Sequence, residues 1–357
     1  MEGSSKGCVE LFAKVAKGQP WEYQRQFFPS KLGGLPAWLE PDPLPPESAF
    51  SCGNCSAVMT FVLQLYAPDD DEPTGDAFHR ALFLFACQPC KTQWRAFRSQ
   101  LPRKNRHYAF HPEAEGTLFP QPDAHMSRQC CMACGIPSSD IQHGTAPVPL
   151  KFKVQNVSDD TVWRKLHPRC EIAIKYETLE ATFEEFLLHI SEGEIQHPVN
   201  YLEREHELHR RYQELKEKGQ VEELDESEEE AIESIQKERL VVDHSFDRFC
   251  KRTTPEDVLY YCRDGKPLWI SDKTVPLRCA SGGESHATEG IVPPCEICGG
   301  PRSFEFQVLP QMLFYLKGAN LDFASVVVYT CASSCNLDGK YQEEYIYVEK
   351  DHSLAPK

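Results

Sequence analysis

Four short cysteine pairs constrain this chain more than any other feature: Cys52 with Cys55, Cys87 with Cys90, Cys295 with Cys298, and Cys331 with Cys335. The first two pairs bracket the strand-like runs Thr60–Tyr66 and Phe78–Phe85, and the last two bracket Ser303–Val308 and Ser325–Tyr329. Folding each set back as a hairpin gathers four thiols, the tetrahedral donor set of a structural Zn²⁺ site. The two sets agree in register: Gln64 and Gln307 each stand nine residues beyond the second cysteine, and a Gly-x-Pro-x-Trp (Gly34–Trp38, Gly265–Trp269) leads each set. Unrelated cysteine pairs would not carry a tryptophan, two strands and a glutamine with them, so the pattern reads as an internal duplication of one zinc-stapled unit. The predicted fold is β-rich α+β, with two pseudo-duplicated zinc-stapled antiparallel β lobes and an acidic, partly helical or disordered insert.

At 357 residues the chain has room for two domains or slightly more. Its net charge of −16 opposes general affinity for nucleic acid or anionic membranes, which requires a basic surface. Basic partners suit it better. The N-terminal stretch is broken by Lys6, Glu10, Lys14 and Lys17, so no secretory signal core is expected. Thiols in Cys-x-x-Cys pairs are then metal ligands in a reducing compartment, and the expected location is cytoplasm and nucleus.

Taken in order, residues 1–118 form the predicted N-terminal zinc lobe, with Val9–Phe12 as a short edge strand and Trp38 in the core. Trp94–Arg106 interleaves aromatic and basic residues and is the one segment suited to nucleic-acid contact; a basic rim is the blander account. Residues 119–172 hold a third candidate ligand set, Cys131, Cys134, His167 and Cys170, in which imidazole replaces one thiolate. Its spacing fits either two zinc ions per chain or three. Cys8, Cys250, Cys262 and Cys279 have no knuckle partner and read as buried or incidental thiols.

Residues 173–245 comprise a strand at Glu171–Leu179 and a charged helix over Asn200–Leu240. Within that helix, Glu222, Glu223, Asp225, Glu226, Glu228, Glu229 and Glu230 form a run with too little apolar surface to order itself. His206-Glu207-Leu208-His209 falls one residue short of a metalloprotease motif, so its histidines do not share a helix face. Residues 246–357 form the predicted C-terminal zinc lobe, which opens on a helical pattern over Ser245–Arg263, restarted at Thr254-Pro255, and ends on a strand at Tyr341–Val348.

At Phe28–Trp38, Leu65–Pro68, Phe97–Asn105, Pro267–Ser271 and Phe306–Gln311 the chain resembles the programmed cell death protein 2 family, which includes a yeast 20S rRNA accumulation protein. The resemblance covers both lobes. Animal members carry a MYND zinc module between them, and here only its outer ends, around Cys131-Cys134 and Trp163–Cys170, are present. The resemblance implies a dedicated chaperone for the S5-type protein of the small ribosomal subunit, called S2 in eukaryotes, acting in 40S biogenesis. The implied chain is monomeric apart from its client, with the acidic run as a candidate partner-binding segment. An enzyme is not expected, because a site closed by four thiolates leaves no position for substrate or water. The rival reading is a zinc-dependent nucleic-acid or chromatin adaptor involved in cell proliferation or death.

Overall fold

A computed structural model describes residues 9–119, 129–131, 133–137, 182–193, 244–272 and 291–349, together with the residue pairs 142–143, 165–166 and 278–279. The acidic run at 222–230, the strand expected at 171–179, His167 and Cys170 lie outside the described residues. In chain order the strands are β1 (Leu11–Ala16), β2 (Lys31–Leu32), β3 (Thr60–Tyr66), β4 (His79–Ala86), β5 (Trp94–Leu101), β6 (Gln142–His143) and β7 (Lys165–Leu166). They continue as β8 (Phe186–Glu192), β9 (Asp257–Tyr261), β10 (Arg278–Cys279), β11 (Ile291–Val292), β12 (Arg302–Val308), β13 (Ser325–Cys331) and β14 (Gln342–Glu349). One α-helix, α1 (His244–Arg252), is described.

Ten of these strands close into one antiparallel barrel, in the order β1-β8-β2-β3-β4-β5-β14-β13-β12-β9, with β9 pairing back to β1. The strands of both cysteine units thus enter a single barrel, where the sequence suggests one lobe for each. They meet where β5 and β14 pair through Ala96, Phe97 and Arg98 against Glu344, Glu343 and Gln342. On either side of this seam runs a four-stranded meander, β5-β4-β3-β2 and β14-β13-β12-β9. Both meanders carry a register shift at the same place, between Phe61 and Leu63 in β3 and between Phe304 and Phe306 in β12. The segment read as an edge strand is β1, which has neighbours on both sides and closes the barrel.

Alternation explains the packing, since successive side chains on a strand face opposite sides. Leu63, Leu65, Leu82, Leu84, Ala96, Phe306, Val308, Val326 and Val328 join one buried cluster drawn from around the barrel, which fills its interior. A ten-stranded barrel is wider than one whose own side chains just fill it. The remaining space is taken by Met312, Leu316 and Phe323 from the β12–β13 connection, all buried. A second cluster lies on the other face of β3, β4 and β5: Phe61, Phe83, Phe85 and Phe97 pack under Trp38 and Phe50. Trp38 is fully buried, as expected, and its Nε1 donates to the Gly135 carbonyl at 2.9 Å. Gln64 fixes the Gly-x-Pro-x-Trp turn by accepting from Ala37 N at 2.7 Å and donating to Pro29 O at 2.9 Å.

Two expectations for the elements change. The helical pattern over 245–263 divides, because Thr254-Pro255 ends α1 at Arg252 and Val258-Leu259-Tyr260 continue as strand β9. These β-favouring residues are buried on both faces, which suits a strand and not an amphipathic helix. Trp94–Leu101, read from its interleaved bases, is strand β5, and Arg98 in it is completely buried.

By compactness the chain divides into two units. The first, Met1–Glu192 with Pro255–Pro267 and Pro276–Lys357, holds the barrel and both paired-cysteine sets. The second, Gly193–Thr254 with Leu268–Val275, holds α1, whose His244 and Ser245 backbone N–H groups donate to the Asp272 carboxylate at 2.7 and 3.0 Å.

Candidate metal centres

Each cysteine pair is set by a tight turn. In the first knuckle Cys52 N donates to Ala57 O at 2.8 Å and Ser56 N to Cys52 O at 2.9 Å. In the third, Cys295 N donates to Gly300 O and Gly299 N to Cys295 O, both at 2.8 Å. Ser56 and Gly299 take the left-handed conformation such a turn requires, at φ 58° and 69°. The partner knuckles, at Cys87 and Cys331, lie at the C-terminal ends of β4 and β13, so the β3–β4 and β12–β13 hairpins bring each pair onto its mate.

Two clusters result, Cys52, Cys55, Cys87 and Cys90, and Cys295, Cys298, Cys331 and Cys335; within each, all four sulfurs lie within 4.8 Å of one another. In the N-terminal cluster Sγ of Cys52 lies 3.8 Å from that of Cys90, and Cys55 3.5 Å from Cys87. In the C-terminal cluster Cys295–Cys335 and Cys298–Cys331 are 3.7 and 3.6 Å apart. A Zn–S bond of ~2.3 Å in a tetrahedron sets sulfurs ~3.8 Å apart, so both donor sets fit Zn²⁺. All eight are free thiols.

The thiols carry the electrostatics of a metal site. Burial opposes ionisation of Cys52, but the N–H groups of Cys55 and Asn54 and the neighbouring thiols outweigh it and lower its pKa to about 7. Cys331 behaves likewise: burial is overcome by Ser333 Oγ and by backbone donors, and its pKa falls to about 6. Cys87 and Cys335 move the other way, raised first by burial and then by the sulfurs beside them. In each cluster one thiol ionises readily while a neighbouring buried thiol resists, a conflict that a bound dication relieves by favouring the thiolate form of its ligands.

The surroundings of the two clusters differ. Cys52 and Cys87 belong to the apolar cluster with Met59, Phe61 and Phe85. The C-terminal cluster is backed by charge: Arg98 Nε donates to Glu344 Oε1 at 2.7 Å, and Arg302 Nε to Glu344 Oε2 at 2.9 Å, with all three side chains buried. Nothing in the sequence marks Arg98, Arg302 and Glu344 as neighbours, since only closure of the barrel along β5 and β14 juxtaposes them.

The third set is partly placed. Cys131 N donates to Ile136 O at 2.9 Å and Gly135 N to Cys131 O at 2.7 Å, the same turn as in the two completed clusters. Cys131 and Cys134 are both buried in that knuckle. A side chain at Gly135 would meet Pro36 at 2.6 Å, so the knuckle is seated on the Gly-x-Pro-x-Trp segment. Cys262 is buried, one of the two readings given for it, but it is disulfide-bonded and so not a free thiol.

Two family models match the chain: the programmed cell death protein 2 N-terminal domain over residues 9–115, and its C-terminal putative domain over 243–350. The chain is 34% identical to mouse programmed cell death protein 2, covering 97% of this chain and 98% of that one. It is 29% identical to human programmed cell death protein 2-like, over 86% and 85% of the two chains. It is 23% identical to the probable 20S rRNA accumulation protein 4 of Schizosaccharomyces pombe, over 85% and 87%. No solved structure matches.

Proposed function

Because the chain belongs to the programmed cell death protein 2 family, we propose that it is a non-enzymatic escort for the S5-type protein of the small ribosomal subunit, keeping that basic protein soluble until 40S assembly. The observation that carries this reading is the pair of closed four-cysteine clusters stapled onto one filled barrel. With four thiolates on each ion no coordination position is open to substrate, so zinc here builds a rigid holder. The name of the Schizosaccharomyces pombe relative refers to 20S rRNA accumulation, which supports a role in ribosome production. A net charge of −16 suits capture of a basic client, speeding encounter and discouraging wrong partners. Cytoplasm and nucleus are the compartments in which such an escort works.

The rival, a nucleic-acid adaptor, rests on the basic-aromatic segment. Arg103 does lie over the rings of Phe110 and Phe78, at 4.3 and 5.1 Å. Arg98 is lost to it, however, being enclosed with Glu344, and Arg95 donates to Ala49 O and Glu343. The discriminating experiment is affinity capture of the full chain with and without nuclease. Recovery of one basic small-subunit protein after nuclease supports the escort, and loss of every partner supports the adaptor.

A further inference from the structure

A zinc ion held by four thiolates carries a net charge of about −2, and a buried anion of that size needs compensation. The two centres expose their cysteines in the same pattern, with the first and third buried, the second exposed and the fourth between. Solvent access therefore does not distinguish them, but their outer spheres do. In the N-terminal centre the thiols draw on backbone N–H groups, as from Cys90 N to Cys87 Sγ at 3.4 Å, within an apolar surround. In the C-terminal centre a guanidinium reaches a ligand atom itself: Arg98 Nη2 lies 3.7 Å from Cys335 Sγ.

That guanidinium is held on every side. Nε donates to Glu344, while Nη1 donates to the Gln100 side chain and, at 3.1 Å, to Cys335 O. Gln100 Nε2 in turn donates to Ser334 O at 2.8 Å. Across Glu344, Arg302 Nη1 donates to Pro294 O at 2.7 Å, next to Cys295. The network thus grips both knuckles of one centre, and its two guanidinium groups face a single shared carboxylate. The surplus positive charge sits beside the thiolates.

We propose that Arg98 is an outer-sphere positioning residue of the C-terminal metal centre, fixing the Cys335 sulfur and carbonyl and offsetting the centre's charge, so that this centre surrenders its ion after the N-terminal one. The proposal rests on the zinc reading of both clusters. A thiolate hydrogen-bonded to a cation is the poorer nucleophile, and outer-sphere partners of metal ligands are worth about 10–100-fold in metal affinity.

The test uses the full zinc-loaded chain. N-ethylmaleimide is added in limiting steps, labelled cysteines are mapped by mass spectrometry, and released zinc is followed with a competing chelator. Cys52, Cys55, Cys87 and Cys90 are expected to label, with loss of one zinc, before Cys295, Cys298, Cys331 and Cys335. Arg98→Gln should weaken the C-terminal centre by about 10–100-fold and leave the N-terminal rates unchanged, with Arg98→Lys recovering part of the loss. The proposal is overturned if the C-terminal set labels as early as the N-terminal set in the unmodified protein, or if Arg98→Gln moves both sets equally while the chain stays folded. Should that variant unfold, the labelling order in the unmodified protein and in Arg98→Lys decides. A folded chain that contains no zinc would instead overturn the metal reading itself.

Discussion

The two meanders of the barrel hold their hairpins with the same donor set and both carry linked aromatic rings, but they differ in the side chains that back the cysteines. On the N-terminal side, Trp38, Phe50, Phe61, Phe83, Phe85 and Phe97 form a continuous aromatic cluster beside Cys52 and Cys87. On the C-terminal side, Arg98 reaches Cys335 and is paired through Glu344 with Arg302. A further ion pair crosses the barrel, with Arg80 of β4 bidentate to Glu305 of β12 at 2.5 and 2.6 Å and both side chains fully buried. Apolar contacts lose energy gradually as atoms are removed, whereas a buried ion pair is all-or-none, because the partner left behind is an unpaired charge. The two four-cysteine clusters thus differ in whether an apolar side chain or a buried charge stands directly behind a cysteine.

Losing a staple should produce the largest effect. Structural zinc contributes ~10–16 kcal/mol of apparent folding free energy in finger peptides, against ~5–15 kcal/mol for the net stability of a whole domain. Cys298→Ser or Cys331→Ser is expected to abolish the native circular dichroism and the cooperative melt. Because both meanders share one barrel, Cys52→Ser should do the same. A variant that kept half of its β signal and one sharp transition would show that the meanders fold independently.

Next in size come the buried charges. Arg80→Met or Glu305→Met alone should cost about 3–5 kcal/mol in urea unfolding, and the two changes together much less than their sum. If the double variant loses as much as the sum of the singles, the pair is not acting as a coupled unit. Trp38→Ala should cost a comparable ~3–5 kcal/mol, but with intermediate losses for Trp38→Phe, the graded response of an apolar site. Equal losses for both Trp38 variants would point to its hydrogen bond to Gly135 as the dominant contribution.

The smallest effect is a pH dependence. His79 is buried against Phe28 in a stacked contact at 4.3 Å, and burial, reinforced by Arg103, lowers its pKa to about 4. The unfolded chain takes up this proton near ~6.5, so the contribution is fully present above that value and is lost as pH falls from ~6.5 to about 4. His79→Phe should keep the stacking and flatten stability across that window relative to the unmodified protein; an unchanged slope would show that His79 does not titrate there. Glu305 acts lower still. Burial alone would raise it, but Arg80 holds it down to about 2, so its contribution persists until the pH falls below the ordinary carboxylate range and towards that value.

The staples were legible in the chain itself, because close cysteine spacing around alternating apolar runs is a local signal and Zn²⁺ imposes the same geometry wherever it binds. Strands β3, β4, β12 and β13 follow from the same local pattern. Strand β5 was hidden because its inward Arg98 and Gln100 read as surface residues until Glu344 and the carbonyls of Ser334 and Cys335 are seen to accept from them. β9 was hidden because Val258–Tyr260, short and apolar, fits a helix or a strand equally well until the pairing with β1 and β12 is known.

By itself, then, the order of residues determined which thiols gather into one four-cysteine cluster, where the hairpins turn and that Trp38 lies inside, since each depends on local patterns or on a metal's fixed demands. Whether two hairpin units stand apart or close into one barrel, and which charges end up facing each other within it, was decided only in three dimensions. Those outcomes depend on pairing between strands more than two hundred residues apart, such as β5 with β14, and no local pattern encodes such a partner.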